Sequence, residues 1–98
     1  MSNNRQKKRI TGQKRRDFSL RKSRILYHET GGKIRQSASG IWHVLFKIGD
    51  VTYSAYCFVD TGDWRVYWPY PGYPQEKKTF KSQRALIRHI RRLRAECW

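Results

Sequence analysis

The chain has 98 residues, a length that suits one small domain and excludes a two-domain enzyme, because so short a chain buries only about two thirds of the surface its unfolded form exposes. Its 22 Lys and Arg against 7 Asp and Glu leave a formal charge of +15, which few partners other than polyanions tolerate. Aromatic residues make up 14%, with Trp 4, Tyr 6 and Phe 4, too many for a wholly disordered basic tail.

No run of about 18 apolar residues occurs, so no membrane insertion is expected, and the first residues lack the apolar stretch of a secretory signal. Cys57 and Cys97 are too few for a disulfide framework and form no C-x-x-C pair, so both are expected to be thiols. The expected location is intracellular: cytoplasm or nucleoid, or the nucleus in a eukaryote.

The charge is concentrated at the two ends. Residues 1–24 hold ten Lys or Arg and one acid, residues 25–76 sum to −1, and residues 77–98 hold eight Lys or Arg with Glu96 as the one acid. A solvated surface spreads its cations, whereas a polyanion-binding segment gathers them. The first twenty residues offer Ile10, Phe18 and Leu20 as their large apolar groups, too little to offset the entropy of ordering. Residues 1–22 are therefore expected to form a flexible, disordered basic arm, and residues 23–98 the folded domain. A short helix around residues 17–23 is the alternative within the arm. The arm's candidate phosphate contacts are Arg5, Lys7, Lys8, Arg9, Lys14, Arg15 and Arg16. The same KKR and KRR runs would also suit a solubility tail or a nuclear-import address.

Residues 23–27 suit a strand, with Gly31-Gly32 as a turn into residues 33–36; this pair would lie at a sheet edge or fold over one end of it. Residues 41–59 are the strongest signal, two β-rich runs separated by Gly49-Asp50, which fits a two-residue hairpin. That turn pairs Ile48 with Val51, Phe46 with Tyr53, Val44 with Ala55 and Trp42 with Cys57 on a core face. The other face pairs Lys47 with Thr52, Leu45 with Ser54, His43 with Tyr56 and Ile41 with Phe58, and is expected to be half open. A Thr61-Gly62 turn would then pair Val59 with Trp64, Cys57 with Val66 and Ala55 with Trp68 on the core face, and Phe58 with Arg65 and Tyr56 with Tyr67 on the other. A three-residue turn would instead point Arg65 inward, where a lone guanidinium is costly. Pro69 ends the third strand, and the segment to Pro74 reads as an aromatic loop leading to a helix.

Ser82 suits a helix cap, and Leu86, Ile90, Leu93 and Cys97 recur at helical spacing as one stripe to pack on the sheet. The opposite side holds Lys81, Arg84, Arg88, Arg91 and Arg92, a cationic ridge that mixed-sign solvated helix faces rarely show. The expected fold is α+β: a small antiparallel sheet of three to five strands against one C-terminal amphipathic helix.

His28, His43 and His89, with two distant cysteines, make no metal spacing, and no nucleophile constellation, phosphate cradle or carboxylate pair is present. No enzyme activity, metal or cofactor is expected. The leading expectation is a nucleic-acid-binding protein whose arm and helix ridge grip phosphates. Sequence preference would come from His43, Lys47, Tyr56, Arg65 and Tyr67 on the open sheet face, or from stacking by Tyr70 and Tyr73 on unpaired bases. Three strands followed by a helix resemble the order in plant ethylene-response DNA-binding domains and in the amino-terminal domains of some transposon integrases. That resemblance is one of element order and transfers no site residues; it implies a sheet laid in the major groove and tips an even choice between DNA and RNA slightly to DNA. The alternative is a small basic protein that docks on an acidic protein surface through Tyr70, Tyr73 and Trp98. An anionic membrane ranks third, since the arm has charge but little apolar anchoring.

Overall fold

The computed structural model describes residues 12–72 and 74–97. Helix α1 (Gly12–Thr30) leads into five strands, β1 (Lys33–Gln36), β2 (Trp42–Ile48), β3 (Val51–Cys57), β4 (Trp64–Trp68) and β5 (Glu76–Phe80), and helix α2 (Gln83–Glu96) closes the chain. The strands form one antiparallel sheet in sequential order. The architecture is thus α+β, with two helices in place of the one expected.

The hairpin of β2 and β3 has the register that Gly49-Asp50 implies, from Val44 opposite Ala55 to Ile48 opposite Val51, with Leu45 opposite Ser54 and Lys47 opposite Thr52. Both helices cover the same side of it. Leu26 from α1 and Leu86 and Ile90 from α2 join Val44, Phe46, Ile48, Ala55, Cys57, Trp64 and Val66 in the core, with Trp64 its largest member at 1% exposure. Burying an indole removes about 200 Å² from water, so this one residue anchors much of a small core. Val51, at the turn, remains 37% exposed although it sits on the core side.

Residues 12–30 correct the expectation of a mobile arm to residue 22 and of a strand at residues 23–27. The buried face of α1 is Ser19, Ser23, Leu26 and Thr30, at helical spacing. Small side chains let the helix approach the sheet closely. Ser19 Oγ accepts the Trp42 amide at 2.9 Å and donates to Arg16 O at 2.9 Å, which fastens the helix to the start of β2. Phe18 packs against the core from the same helix. Residues 1–11, with Arg5, Lys7, Lys8 and Arg9, lie outside the described residues.

Helix α1 ends at Gly31, whose φ of 69° is the left-handed conformation of a helix C-cap and whose amide donates to Tyr27 O at 2.8 Å. Gly32 then passes over β2 so closely that a Cβ there would fall 1.9 Å from Leu45 O. Arg94 locks this corner from α2, donating to Thr30 O at 3.0 Å and to Lys47 O at 3.1 Å. It meets the α1 carbonyl end, where a cation is stabilising.

The turn into β4 differs from the expected two-residue turn. Gly62 N donates to Phe58 O at 2.7 Å and Phe58 N to Asp63 O at 2.8 Å, closing a four-residue loop over residues 59–62. The register therefore shifts by two: Cys57 faces Trp64, Ala55 faces Val66, Tyr56 faces Arg65 and Ser54 faces Tyr67. A shift of two preserves the faces, so Trp64 and Val66 still point into the core and Arg65 outward.

The aromatic loop does not lead directly to the helix. Strand β5 intervenes and pairs with β4, Tyr67 opposite Lys77 and Arg65 opposite Thr79. Ser82 caps α2 as expected, its side chain accepting the Ala85 amide at 3.1 Å. Leu86 and Ile90 are buried and Leu93 packs against the core, but Cys97 lies past the helix end and is exposed, so the stripe ends at Leu93.

Candidate nucleic-acid interface

Alternation along the strands assigns the side of the sheet away from both helices. Register places Lys33 and Arg35 of β1, His43, Leu45 and Lys47 of β2, Thr52, Ser54 and Tyr56 of β3, Arg65 and Tyr67 of β4, and Lys77 and Thr79 of β5 on that side. These strand positions carry five Lys or Arg and no carboxylate.

Its centre is aromatic. His43 stacks on Tyr56 with ring centroids 4.5 Å apart, and Tyr56 meets Tyr67 edge to face at 5.9 Å. The expected His43, Tyr56 and Tyr67 cluster therefore assembles, although Tyr56 and Tyr67 are diagonal neighbours and not direct partners. Arg65 lies flat over Phe58, its guanidinium carbon 4.0 Å from the ring centroid, which orients the cation and screens one face of the ring. His43 is 4% exposed, more enclosed than a half-open face suggested.

The loop after β4 turns back onto this face. The Tyr70 amide donates to Thr52 O at 2.8 Å, and Gln75 Nε2 donates to Pro69 O at 3.2 Å. The Tyr70 ring stands 6.5 Å from His43 and separates two grooves. One, of about 360 Å³, is lined by Ser54, Tyr56, Phe58, Tyr67, Tyr70 and Gln75. The other, of about 530 Å³, includes Lys33, Arg35, Leu45, Lys47 and Thr52 with Tyr70. Tyr73 and Trp98 lie outside the described residues. Tyr70 is tied to the sheet through its backbone while its side chain remains 37% exposed.

The cations on α2 form a separate surface. Since Leu86 and Ile90 face the sheet, Arg84, Arg88, Arg91 and Arg92 point away from it, on the side of the molecule opposite the open face, whereas Lys81, expected on the same ridge, precedes the Ser82 cap and is not part of the helix. Arg91 pairs with Glu29 of α1 at 2.8 Å, and Arg92 lies 2.9 Å from His89 Nδ1. Arg84 and Arg88 border a groove of about 420 Å³ between the helices. Near the start of α1, Arg15 donates to Asp60 through both terminal guanidinium nitrogens at 3.2 and 3.3 Å, and Arg16 bonds Gln13. Arg15 thus ties α1 to the β3–β4 loop; Lys14 shares its first turns. The helix ridge and the sheet face of the expected composite therefore lie on two different sides.

Lys33, Arg35, Lys77, Ser54, Phe58 and Gln75 were not among the expected site residues. Lys33 and Arg35 flank Ile34 in an alternating K-I-R pattern that a short edge strand after Gly31-Gly32 makes visible; Lys77 offers no such signal, because β5 has one large apolar residue.

Two histidines give the molecule a pH dependence. Burial holds the pKa of His43 below the ordinary histidine value, and Arg35 opposite it adds to the effect. His89 is lowered likewise by burial, then by Lys78 and Arg92. The unfolded chain takes up these protons near pH 6.5 and the folded one at lower pH, so stability is full above about 6.5 and falls as pH drops below it. The melting temperature is expected to be level from pH 8 to 7 and to decline towards pH 5.5, less steeply in His43→Phe. A midpoint that rises on acidification would contradict this.

No group of three or more metal-ligating side chains forms among the described residues, and no helix there is long and apolar enough to cross a membrane. Compared with protein-family models, curated protein sequences and solved structures, the chain finds no match.

Proposed function

We propose that the chain is a non-enzymatic nucleic-acid-binding protein that meets its ligand with the open face of the sheet. The observation that carries this reading is the five Lys and Arg at strand positions of that face, with no carboxylate among them, around a strip of contacting rings. Cations at the flanks suit phosphates, and rings between them suit bases. Arg84 and Arg88 offer phosphates a second, sequence-blind surface on the far side.

DNA and RNA stand level here. The phosphate attraction does not separate them, and the three-strand order that favoured DNA is replaced by a helix, five strands and a second helix.

The test is binding of the nuclease-treated protein to DNA and RNA strands across a salt series. About five phosphate contacts give log K against log salt a slope of roughly −3 to −5. A slope near zero overturns the reading. Absence of binding even at low salt also overturns it, and turns attention to an acidic protein surface.

A further inference from the structure

The groove between Tyr56, Tyr67 and Tyr70 has a feature that core packing does not account for. Ser54, 2% exposed, is one of its lining residues, and the Ser54 Oγ is buried beneath it with no hydrogen-bond partner among the described residues. Native proteins seldom leave a buried hydroxyl unpaired, and a groove at such a group marks a place for a ligand's donor or acceptor. Around this hydroxyl stand Tyr56, Phe58, Tyr67 and Tyr70, with the Gln75 amide at the rim. Flat rings around one or two polar groups are what a nucleobase requires: stacking on its faces and hydrogen bonds at its edge.

The width of the sheet bears on which nucleic acid fits. Five strands span about 19 Å between the outermost two, whereas the B-form major groove is about 12 Å wide and that of duplex RNA is narrower still. With the strands running along the groove, Lys33 and Arg35 on β1 and Lys77 on β5 stand too far apart to enter one duplex groove together. A single strand laid across the sheet has no such limit and can place phosphates at both flanks with bases on the central rings.

We infer that the groove lined by Ser54, Tyr56, Phe58, Tyr67, Tyr70 and Gln75 receives one unpaired base, and that the ligand of the open face is single-stranded nucleic acid. The inference rests on the nucleic-acid reading above and narrows it. Tyr67 supplies the stacking surface, Tyr70 closes the side towards the second groove, and Ser54 bonds the edge of the base. Arg65, held against Phe58, stands beside the groove to meet the neighbouring phosphate.

The experiment compares three probes of twelve nucleotides at equal salt: oligothymidylate, the same backbone with abasic sites throughout, and a mixed-sequence duplex. The intact strand is expected to bind at least about tenfold more tightly than the abasic strand, with the same salt slope, and more tightly than the duplex. Tyr67→Leu should lower affinity for the intact strand about tenfold while leaving the abasic strand unaffected. The abasic comparison uses the unaltered protein, so it stands even if the variant misfolds. Equal binding of intact and abasic strands, or a preference for the duplex, overturns the base-binding groove and leaves nucleic-acid binding in place. Failure of all three probes to bind at low salt overturns both.

Discussion

Replacing Lys33, Arg35, Lys47 and Lys77 together by Gln is expected to lower affinity for a nucleic-acid strand by on the order of 10²- to 10³-fold near 0.1 M salt, and to flatten the salt slope by about 3. Each phosphate contact releases a fraction of a counterion, so losing four contacts removes both the free energy and its salt dependence. All four side chains are exposed, and their removal takes nothing from the core. The melting temperature should therefore stay close to that of the parent. The matching change on the other side, Arg84 and Arg88 to Gln, should cost about tenfold at most, because these side chains lie away from the aromatic strip. Titration of both variants over a salt series decides between the surfaces. A larger loss from the helix variant would place the ligand on α2 and leave the sheet face without a role.

Gly32→Ala is expected to lower the melting temperature by roughly 10–20 °C, corresponding to about 3 kcal/mol in a domain of this size. The new methyl would sit 1.9 Å from Leu45 O and 3.1 Å from the Phe46 Cα, both backbone atoms of a central strand, so the chain itself must move. Such movement would pull the end of α1 from β2 and break the contacts of Arg94 with Thr30 and Lys47. The neighbour is the control. Gly31 has a φ of 69° but nothing within 4 Å of a Cβ, so Gly31→Ala carries the conformational strain alone and should cost about 1 kcal/mol. Calorimetry or thermal circular dichroism on the two variants checks the contrast. Equal losses would mean that strain, and not the close approach of Gly32 to β2, governs this corner.

The parts of the fold that were legible are those whose burial is written in large apolar side chains. Residues 41–59 alternate strongly around Gly49-Asp50, so the β2–β3 register follows from the turn alone. Helix α2 has a hydroxyl cap and an apolar stripe of Leu86 and Ile90. Helix α1 lacks that signature. Its inward face is built on Ser19, Ser23 and Thr30 beside Leu26, and hydroxyl residues read as solvent-facing until the sheet that receives them is known. Strand β5 escapes for the opposite reason: as an edge strand it pairs through its backbone while four of its five side chains stay exposed.

The candidate site divides in the same way. Period-two alternation put His43, Tyr56, Arg65 and Tyr67 on one face, and this survived a register error of two at β4 because the pleat repeats every second residue. The Gly49-Asp50 turn also put Ser54 on that face, opposite Leu45, whereas Gln75 could not be joined to the group from the sequence. Its meeting with Ser54 depends on the loop after β4 folding back so that the Tyr70 amide bonds Thr52 O. The Arg-rich ridge was read correctly as the outward side of α2, but its position relative to the sheet face is a matter of which side the helix packs on. With both helices on one side, the two cationic surfaces stand back to back.

That separation makes mapping the contact surface the most direct test. The protein, labelled with ¹⁵N, would be titrated with oligothymidylate while the amide chemical shifts are followed. The account predicts the largest changes at His43, Ser54, Tyr56, Arg65, Tyr67 and Tyr70, with Arg84 and Arg88 little moved. Shifts confined to α2, with the sheet face unchanged at saturation, would contradict it.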